Sequence, residues 1–141
     1  MKLYFGYGSN MGDAQMKQRC PQSEKIGVGR LSGYRWIIST RGYANVVESP
    51  EDEVEGVLFA LSQSDENSMD EYEGVAIGSY RKADLPVWQG ENKVVALVYL
   101  DPIAAEGTPT KEYIHRINYG LADAKLSEPY LARHVRKFIP A

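Results

Sequence analysis

The N-terminal segment constrains the fold and function of this chain more than any other feature. Residues 2–5 are short and partly aromatic, which is typical of a β-strand. They lead directly into Gly6-Tyr7-Gly8-Ser9-Asn10, where two glycines permit backbone geometry that a side chain would forbid. A helix is predicted to follow, with Asp13 as its N-cap. A strand, a glycine loop and a helix start in this order can direct backbone N–H groups at a small anion or a carbonyl oxygen.

This glycine loop has more than one interpretation. The commonest role of a glycine pair is a tight turn that packs a strand against a helix. A dinucleotide-binding loop would require a third glycine at position 11, which is Met11. A Walker phosphate loop would require Gly-Lys-Ser or Gly-Lys-Thr, which is absent. A tight turn and a cradle for a small substrate therefore both stay open.

Size and charge exclude several classes of protein. With 141 residues, the chain is expected to form a single domain over residues 1–141 with one hydrophobic core. A net charge of −3 gives no electrostatic footprint for nucleic acid. No apolar stretch approaches the ~18 residues of a membrane span, and no signal peptide is evident. We expect a cytoplasmic protein that binds neither nucleic acid nor a membrane, and the oligomeric state stays open.

The cysteine and histidine residues are few. Cys20 is the only cysteine, which excludes an intrachain disulfide and suits a reducing compartment. It is predicted to be a small buried hydrophobe. His115 and His134 do not lie at a metal-ligand spacing from Cys, Asp or Glu. The sequence therefore favours neither a zinc site nor a histidine-dependent triad.

Alternating and β-branched patterns predict six or seven short strands. The main ones cover residues 25–31, 34–39, 43–48, 54–61, 80–88 and 93–100. Ser32-Gly33 and Ser49-Pro50 are predicted to be turns, residues 90–92 a hairpin turn, and Gly56 a bulge or a close backbone approach. So many short strands favour an α+β fold, a small mixed and mostly antiparallel β-barrel with peripheral helices.

Three helical segments complete the predicted fold. Residues 64–73 form a short helix that Ser64 caps and after which Gly74 adopts the left-handed conformation. A second helix begins at Thr108-Pro109 and a last one at Ser127-Glu128-Pro129.

An ordered set of motifs resembles the γ-glutamylcyclotransferase family. The set comprises residues 4–10, Leu31-x-Gly33-Tyr34, Ala44, Ser49-Pro50, Glu53-Val54-x-Gly56-Val57, and residues 69–75 followed by Tyr80. The YGSN loop followed later by Asp-x-x-Glu-Gly is the specific element. The resemblance extends from Leu3 to about Val87 and continues weakly through residues 126–130.

The resemblance implies a small mixed barrel that uses no metal or organic cofactor. Its substrate would be a small γ-glutamyl compound, whose α-amine attacks its own γ-carbonyl to release 5-oxoproline and an amine or amino acid. The acid/base residue would be Glu73. The substrate-binding residues would be Tyr4, Phe5, Gly6, Tyr7, Gly8, Ser9, Asn10, Tyr80 and Tyr130.

The local sequence around Glu73 suits this role. A free α-amino group and an ordinary glutamate differ by about 3.5 pKa units, so proton transfer between them costs roughly 5 kcal/mol. A helix C-terminus and Asp70, one turn earlier, would raise the pKa of Glu73. An apolar wall of Val57, Leu58, Phe59 and Val75 would raise it more, because burial has the largest effect. The alternative is that Glu73 is one more solvated surface charge.

Two other functions stay open. A non-catalytic binding module could have the same fold. A γ-glutamyl amidohydrolase would use water in place of the α-amine and release glutamate. The leaving group is also open: an amino acid, a lysine side chain or polyamine, the Cys-Gly portion of glutathione, or a secondary metabolite. Its pocket is expected on the loops at residues 40–42 and 101–110. Ser9 is predicted to contribute its backbone amide, since no Gly-x-Ser-x-Gly elbow is present.

Overall fold

The computed structural model describes all residues from 1 to 141 and contains five strands and four helices. In chain order they are β1 (Lys2–Gly6), α1 (Asp13–Arg19), β2 (Glu24–Ile38), β3 (Ala44–Leu61), α2 (Gln63–Tyr72), β4 (Arg81–Gln89), β5 (Asn92–Leu100), α3 (Lys111–Ala124) and α4 (Glu128–Tyr130). Short 3₁₀ turns lie at Ser9–Met11 and Val75–Ile77, and α4 continues into a π-helical segment at Leu131–Val135.

The strands close into a barrel in the order β1-β3-β2-β4-β5. Four of the five neighbouring pairs are antiparallel, and the barrel is closed by a parallel contact in which Tyr4 of β1 pairs with Leu97 of β5. The predicted mixed, mostly antiparallel barrel of an α+β fold is confirmed.

The number of strands is smaller than predicted, because two predicted turns are irregularities within continuous strands. Ser32 pairs with Glu53 and Tyr34 pairs with Glu48, so the register shifts there without ending β2 or β3. Residues 49–52 form extra length on β3, which the bulged pairing accommodates. The prediction that Ser32-Gly33 and Ser49-Pro50 separate strands is wrong.

The helix starts also differ by one or two residues from the prediction. Ser62, not Ser64, caps α2, and its side chain accepts a hydrogen bond from the Asp65 N–H at 3.1 Å. Thr110 caps α3 in the same way, two residues after Thr108. Asp13 is the first residue of α1 and not its N-cap, because Gly12 holds that position.

Strand β1, which leads into the glycine loop, packs closely against β3. Gly56 lies so close to β1 that a Cβ there would be 2.5 Å from the Gly6 carbonyl oxygen, which confirms the predicted close approach. Phe5 and Trp36 are among the wholly buried side chains of the core, and Cys20 is buried as predicted. No helix has the length and apolar character needed to span a membrane.

Candidate active site

A cavity of about 390 Å³ lies between the glycine loop, the end of α2 and one face of α3. Seven of the residues predicted for the site line it: Tyr4, Tyr7, Gly8, Ser9, Asn10, Glu73 and Tyr80. The fold thus brings together the two motifs that are more than sixty residues apart in the sequence.

Glu73 is placed by the end of α2. It is the C-cap residue, and its N–H donates to the Met69 carbonyl at 2.9 Å. Gly74 follows with φ = 64°, the left-handed conformation predicted for it, which ends the helix and turns the chain away. The Glu73 side chain therefore lies on the cavity wall, and Asn10 Nδ2 contacts its Oε1 at 3.4 Å.

Asn10 connects the glycine loop to this carboxylate. It is buried, and its Nδ2 donates to Tyr4 Oη at 3.0 Å in addition to the longer contact with Glu73. Its Oδ1 accepts hydrogen bonds from Arg19 Nη1 at 3.0 Å and from Gln15 Nε2 at 2.8 Å. The two acceptor contacts orient the amide so that its N–H groups face Tyr4 and Glu73.

Burial raises the pKa of Glu73 to about 7, and the positive charges of Arg19 and Arg41 oppose this rise. Asp70 does not contribute to the rise, contrary to the prediction, because other partners engage its carboxylate. Tyr99 Oη donates to it at 2.7 Å and Lys82 Nζ at 3.0 Å.

The predicted apolar wall around Glu73 is also wrong, because Val57, Leu58 and Phe59 lie in the core and do not line the cavity. Seven tyrosines line the cavity instead: Tyr4, Tyr7, Tyr43, Tyr72, Tyr80, Tyr99 and Tyr113. For all of these except Tyr43 and Tyr72, burial raises the pKa of the hydroxyl above its ordinary value, that of Tyr113 to about 12. These side chains are therefore neutral at physiological pH.

Several hydrogen-bond donors at the cavity have no acceptor within the protein. The backbone N–H groups of Tyr7 and Gly8 donate to no protein atom. Tyr4 Oη and Tyr113 Oη accept hydrogen bonds, from Asn10 Nδ2 and the Ala44 N–H at 3.1 Å, but their own protons have no protein acceptor. A bound oxygen atom could accept from these groups.

Gly8 lies where a side chain would be tightly packed. A Cβ there would lie 3.3 Å from Ala44 Cβ and 3.3 Å from Tyr113 Oη, both of which line the cavity. A larger side chain would therefore push into the cavity or displace its wall.

Comparison with known proteins decides the family. Residues 4–119 match the family model described as gamma-glutamyl cyclotransferase, AIG2-like. The chain belongs to the γ-glutamylcyclotransferase family. It is 30% identical to human γ-glutamylcyclotransferase over an alignment of 139 residues, covering 91% of this chain and 74% of the human protein.

Solved structures agree with this assignment. A structure named gamma-glutamyl cyclotransferase has a TM-score of 0.86 and 28% identity, covering 94% of this chain and 85% of that one. YkqA from Bacillus subtilis has a TM-score of 0.82 and 26% identity, covering 94% of this chain and 52% of YkqA.

Three residues that the family resemblance assigned to substrate binding do not line the cavity of this γ-glutamylcyclotransferase family member. Phe5 is wholly buried in the core, and Gly6 pairs with Val57 within the barrel. Tyr130 lines a second cavity of about 230 Å³. We call this second cavity the acidic groove; it is formed by Glu51, Asp52, Glu53, Glu55, Ser127, Pro129, Tyr130, Arg133 and His134.

Other residues at the cavity were missed by sequence reasoning. Gln15 and Arg19 are spaced i, i+4 on α1 and contact Asn10 from the same side. That polar pair, directly after the glycine loop, was a signal available in the sequence. Of the two loops expected to bind the leaving group, Arg41 reaches the cavity, whereas no residue from 101 to 110 lines it. Asp101 contributes to the cavity only through Arg41. Its buried carboxylate pairs with the Arg41 guanidinium, with 3.0 Å between Oδ2 and Nη2.

No three His, Cys, Asp or Glu side chains are arranged to hold a metal ion.

Proposed function

We propose that this protein converts a γ-glutamyl amino acid or γ-glutamyl amine into 5-oxoproline and the free amino acid or amine. The substrate's α-amine attacks its own γ-carbonyl carbon, so the nucleophile is already part of the bound molecule. The observation that carries the proposal is a partly buried carboxylate, Glu73, on the wall of the cavity beside the glycine loop.

Glu73 is suited to accept the proton from the α-ammonium. A free α-amino group has a pKa of about 7.7–8.0, and burial raises that of Glu73 to about 7. The remaining gap of roughly one unit costs about 1.4 kcal/mol, whereas an ordinary glutamate would face roughly 5 kcal/mol. Glu73 then returns this proton to the leaving nitrogen as the bond from that nitrogen to the γ-carbon breaks.

The glycine loop supports the second requirement, stabilisation of the oxyanion on the γ-carbon. The N–H groups of Tyr7 and Gly8 have no acceptor within the protein, and donors that are already in place cost no reorganisation during the reaction. The hydroxyl protons of Tyr4 and Tyr113 are further donors at the same cavity.

The charges of the cavity also support an anionic substrate. Arg19, Arg41 and Arg116 line it together with Glu71 and Glu73. A γ-glutamyl compound has at least one carboxylate, which the arginines can attract and orient.

The test is product identity. The protein is incubated with γ-glutamyl amino acids, ε-(γ-glutamyl)lysine, a γ-glutamyl polyamine and glutathione, and 5-oxoproline and glutamate are separated by chromatography. Release of 5-oxoproline by the native protein but not by Glu73→Gln supports the proposal. Release of glutamate indicates an amidohydrolase. Binding without either product indicates a non-catalytic binding module.

A further inference from the structure

Three exposed apolar side chains border the cavity. Tyr43 is 45% exposed, Tyr72 56% and Ile77 84%, and all three line the cavity. The protein exposes only eight large apolar side chains in all, so this one site takes more than a third of them. We call Tyr43, Tyr72 and Ile77 the apolar rim.

The rim is held in position by the fold. Ile77 ends the 3₁₀ turn Val75–Ile77, which lies between the left-handed Gly74 and Gly78. Its N–H donates to the Gly74 carbonyl at 3.2 Å. The Arg19 guanidinium lies 4.6 Å from the centroid of the Tyr72 ring. These contacts keep apolar surface in water, which is unfavourable unless a ligand covers it.

Tyr43, the third rim residue, is held by α3: its ring packs edge-on against that of Tyr113, with 5.1 Å between the ring centroids.

Burial indicates which part of a substrate reaches the rim. Tyr4, Tyr7 and Asn10 beside Glu73 are buried, whereas the rim residues are exposed, so the rim lies at the mouth. If the glutamyl portion occupies the inner part against Glu73 and the glycine loop, the leaving group extends outward to the mouth.

We propose that the apolar rim binds the side chain of the leaving amino acid and gives this protein a preference for large apolar leaving groups. This inference rests on the proposed function. Burying an apolar side chain against the rim removes apolar surface of both molecules from water.

The experiment compares kcat/KM for 5-oxoproline release from γ-glutamyl-leucine, γ-glutamyl-phenylalanine and γ-glutamyl-alanine. We expect leucine and phenylalanine compounds to exceed the alanine compound by about tenfold, the lower range for added methylenes in an apolar site. Ile77→Ser should remove most of this ratio, because it should lower kcat/KM for the leucine and phenylalanine compounds far more than for the alanine compound. The matched control is Val95→Ser, which alters a side chain that is 64% exposed but lies on β5, outside the cavity lining.

Equal rates for the leucine and alanine compounds, or a ratio that Ile77→Ser does not change, would overturn the inference. If no compound yields 5-oxoproline, the proposed function fails. Calorimetry then tests separately whether the apolar rim binds the leaving group. Tighter binding of γ-glutamyl-leucine than of γ-glutamyl-alanine by Glu73→Gln would support the apolar rim, and equal binding would overturn it.

Discussion

The two cavities of this protein contain carboxylates in different surroundings. In the cavity beside the glycine loop, Glu73 shares the lining with seven tyrosines, and the amide of Asn10 is its one hydrogen-bond donor in the protein, at 3.4 Å. The acidic groove contains four carboxylates, and most of them accept hydrogen bonds or pair with an arginine. Glu55 accepts from Ser127 N at 2.8 Å and Oγ at 2.6 Å, and Glu53 pairs with Arg30 at 3.2 Å.

The difference shows that a high number of carboxylates does not by itself raise the pKa of any one of them. The groove carboxylates are partly or fully exposed and stabilise local structure: Glu55, for example, holds the residue that caps α4. Glu73 has lost water without gaining a strong partner, and burial therefore raises its pKa to about 7. A substrate ammonium can supply the partner that the protein does not.

The largest effect that would test this contrast is expected for Glu73→Gln. The amide keeps the size of the side chain but cannot accept the ammonium proton. We expect kcat for 5-oxoproline release to fall by at least about 10², the lower range for general acid/base catalysis. Steady-state kinetics and far-UV circular dichroism measure activity and folding.

Glu51→Gln in the acidic groove is the matched control, because Glu51 is exposed and outside the cavity that contains Glu73. It should retain full activity. Glu71 is a poorer control, since it lines the same cavity as Glu73. Equal activity of Glu73→Gln and Glu51→Gln would remove Glu73 from the mechanism and end the distinction between the two cavities.

A smaller but substantial effect is expected for Gly8→Val. The new side chain meets Ala44 Cβ and Tyr113 Oη, each 3.3 Å from the position of Cβ, and extends toward the substrate. We expect KM to rise by at least about tenfold, or 1.4 kcal/mol, with the fold retained. Calorimetry with 5-oxoproline measures the loss of binding.

Gly12→Ala controls for a general effect on the loop. A Cβ at position 12 makes ordinary contacts at 3.4 Å or more, and Gly12 does not line the cavity. If Gly8→Val binds normally, the loop is not a substrate cradle. If it unfolds while Gly12→Ala does not, the tight-turn interpretation of the glycine pair is the better one.

Features specified by short-range sequence were predicted well. The left-handed Gly74 and the hairpin turn at Gly90 follow from backbone preferences that a few residues determine. The position of Glu73 before Gly74 and the close approach of Gly56 belong to the same class. The barrel also followed from the number of β-like segments.

Features that depend on distant contacts were not predicted. Asp70 accepts hydrogen bonds from Lys82 and Tyr99, which come from β4 and β5, so its effect on Glu73 could not be judged from the helix alone. Ser49-Pro50 does not end β3, because pairing with β2 resumes beyond it. The tyrosines that line the cavity come from six separate segments of the chain, which no local pattern connects.

The pH dependence of kcat/KM tests whether the surroundings of Glu73 set its pKa. As a general base it must be ionised, so kcat/KM should rise with pH through an apparent pKa of about 7. Arg19→Met removes a charge that lowers this pKa, so the rise of kcat/KM should occur at higher pH. Arg116 also lines the cavity, but its charge is not among the causes of the pKa shift of Glu73. Arg116→Met should therefore leave the pH dependence of kcat/KM unchanged.

The contribution of Glu73 to the free energy of unfolding should decrease as the pH rises. Burial raises the pKa of Glu73 in the folded protein above its unfolded value of about 4.5. Its contribution to the free energy of unfolding is therefore full below about pH 4.5 and lost as the pH rises through about 7. Denaturant titrations of the native protein and Glu73→Gln should diverge over this window, and parallel curves would contradict a raised pKa.

The smallest effect is expected in the acidic groove, for Tyr130→Phe. The Tyr130 hydroxyl is buried and makes no hydrogen bond of normal geometry, although the Glu55 backbone lies near it. An unsatisfied buried hydroxyl costs about 1–3 kcal/mol, so its removal should leave stability unchanged or raise it by up to about 1 kcal/mol. The same change at Tyr80 removes a hydrogen bond to the Ala44 carbonyl, at 2.8 Å, and should lower stability by about 1 kcal/mol.

Activity then decides whether the two cavities are independent. Family resemblance assigned Tyr130 to substrate binding, yet it lines the acidic groove and not the cavity that contains Glu73. If its hydroxyl serves only packing, kcat/KM of Tyr130→Phe should equal that of the native protein, while Tyr80→Phe should be impaired. A loss with Tyr130→Phe at unchanged stability would mean that the C-terminal segment reaches the substrate during turnover. The groove would then belong to the same functional site as Glu73.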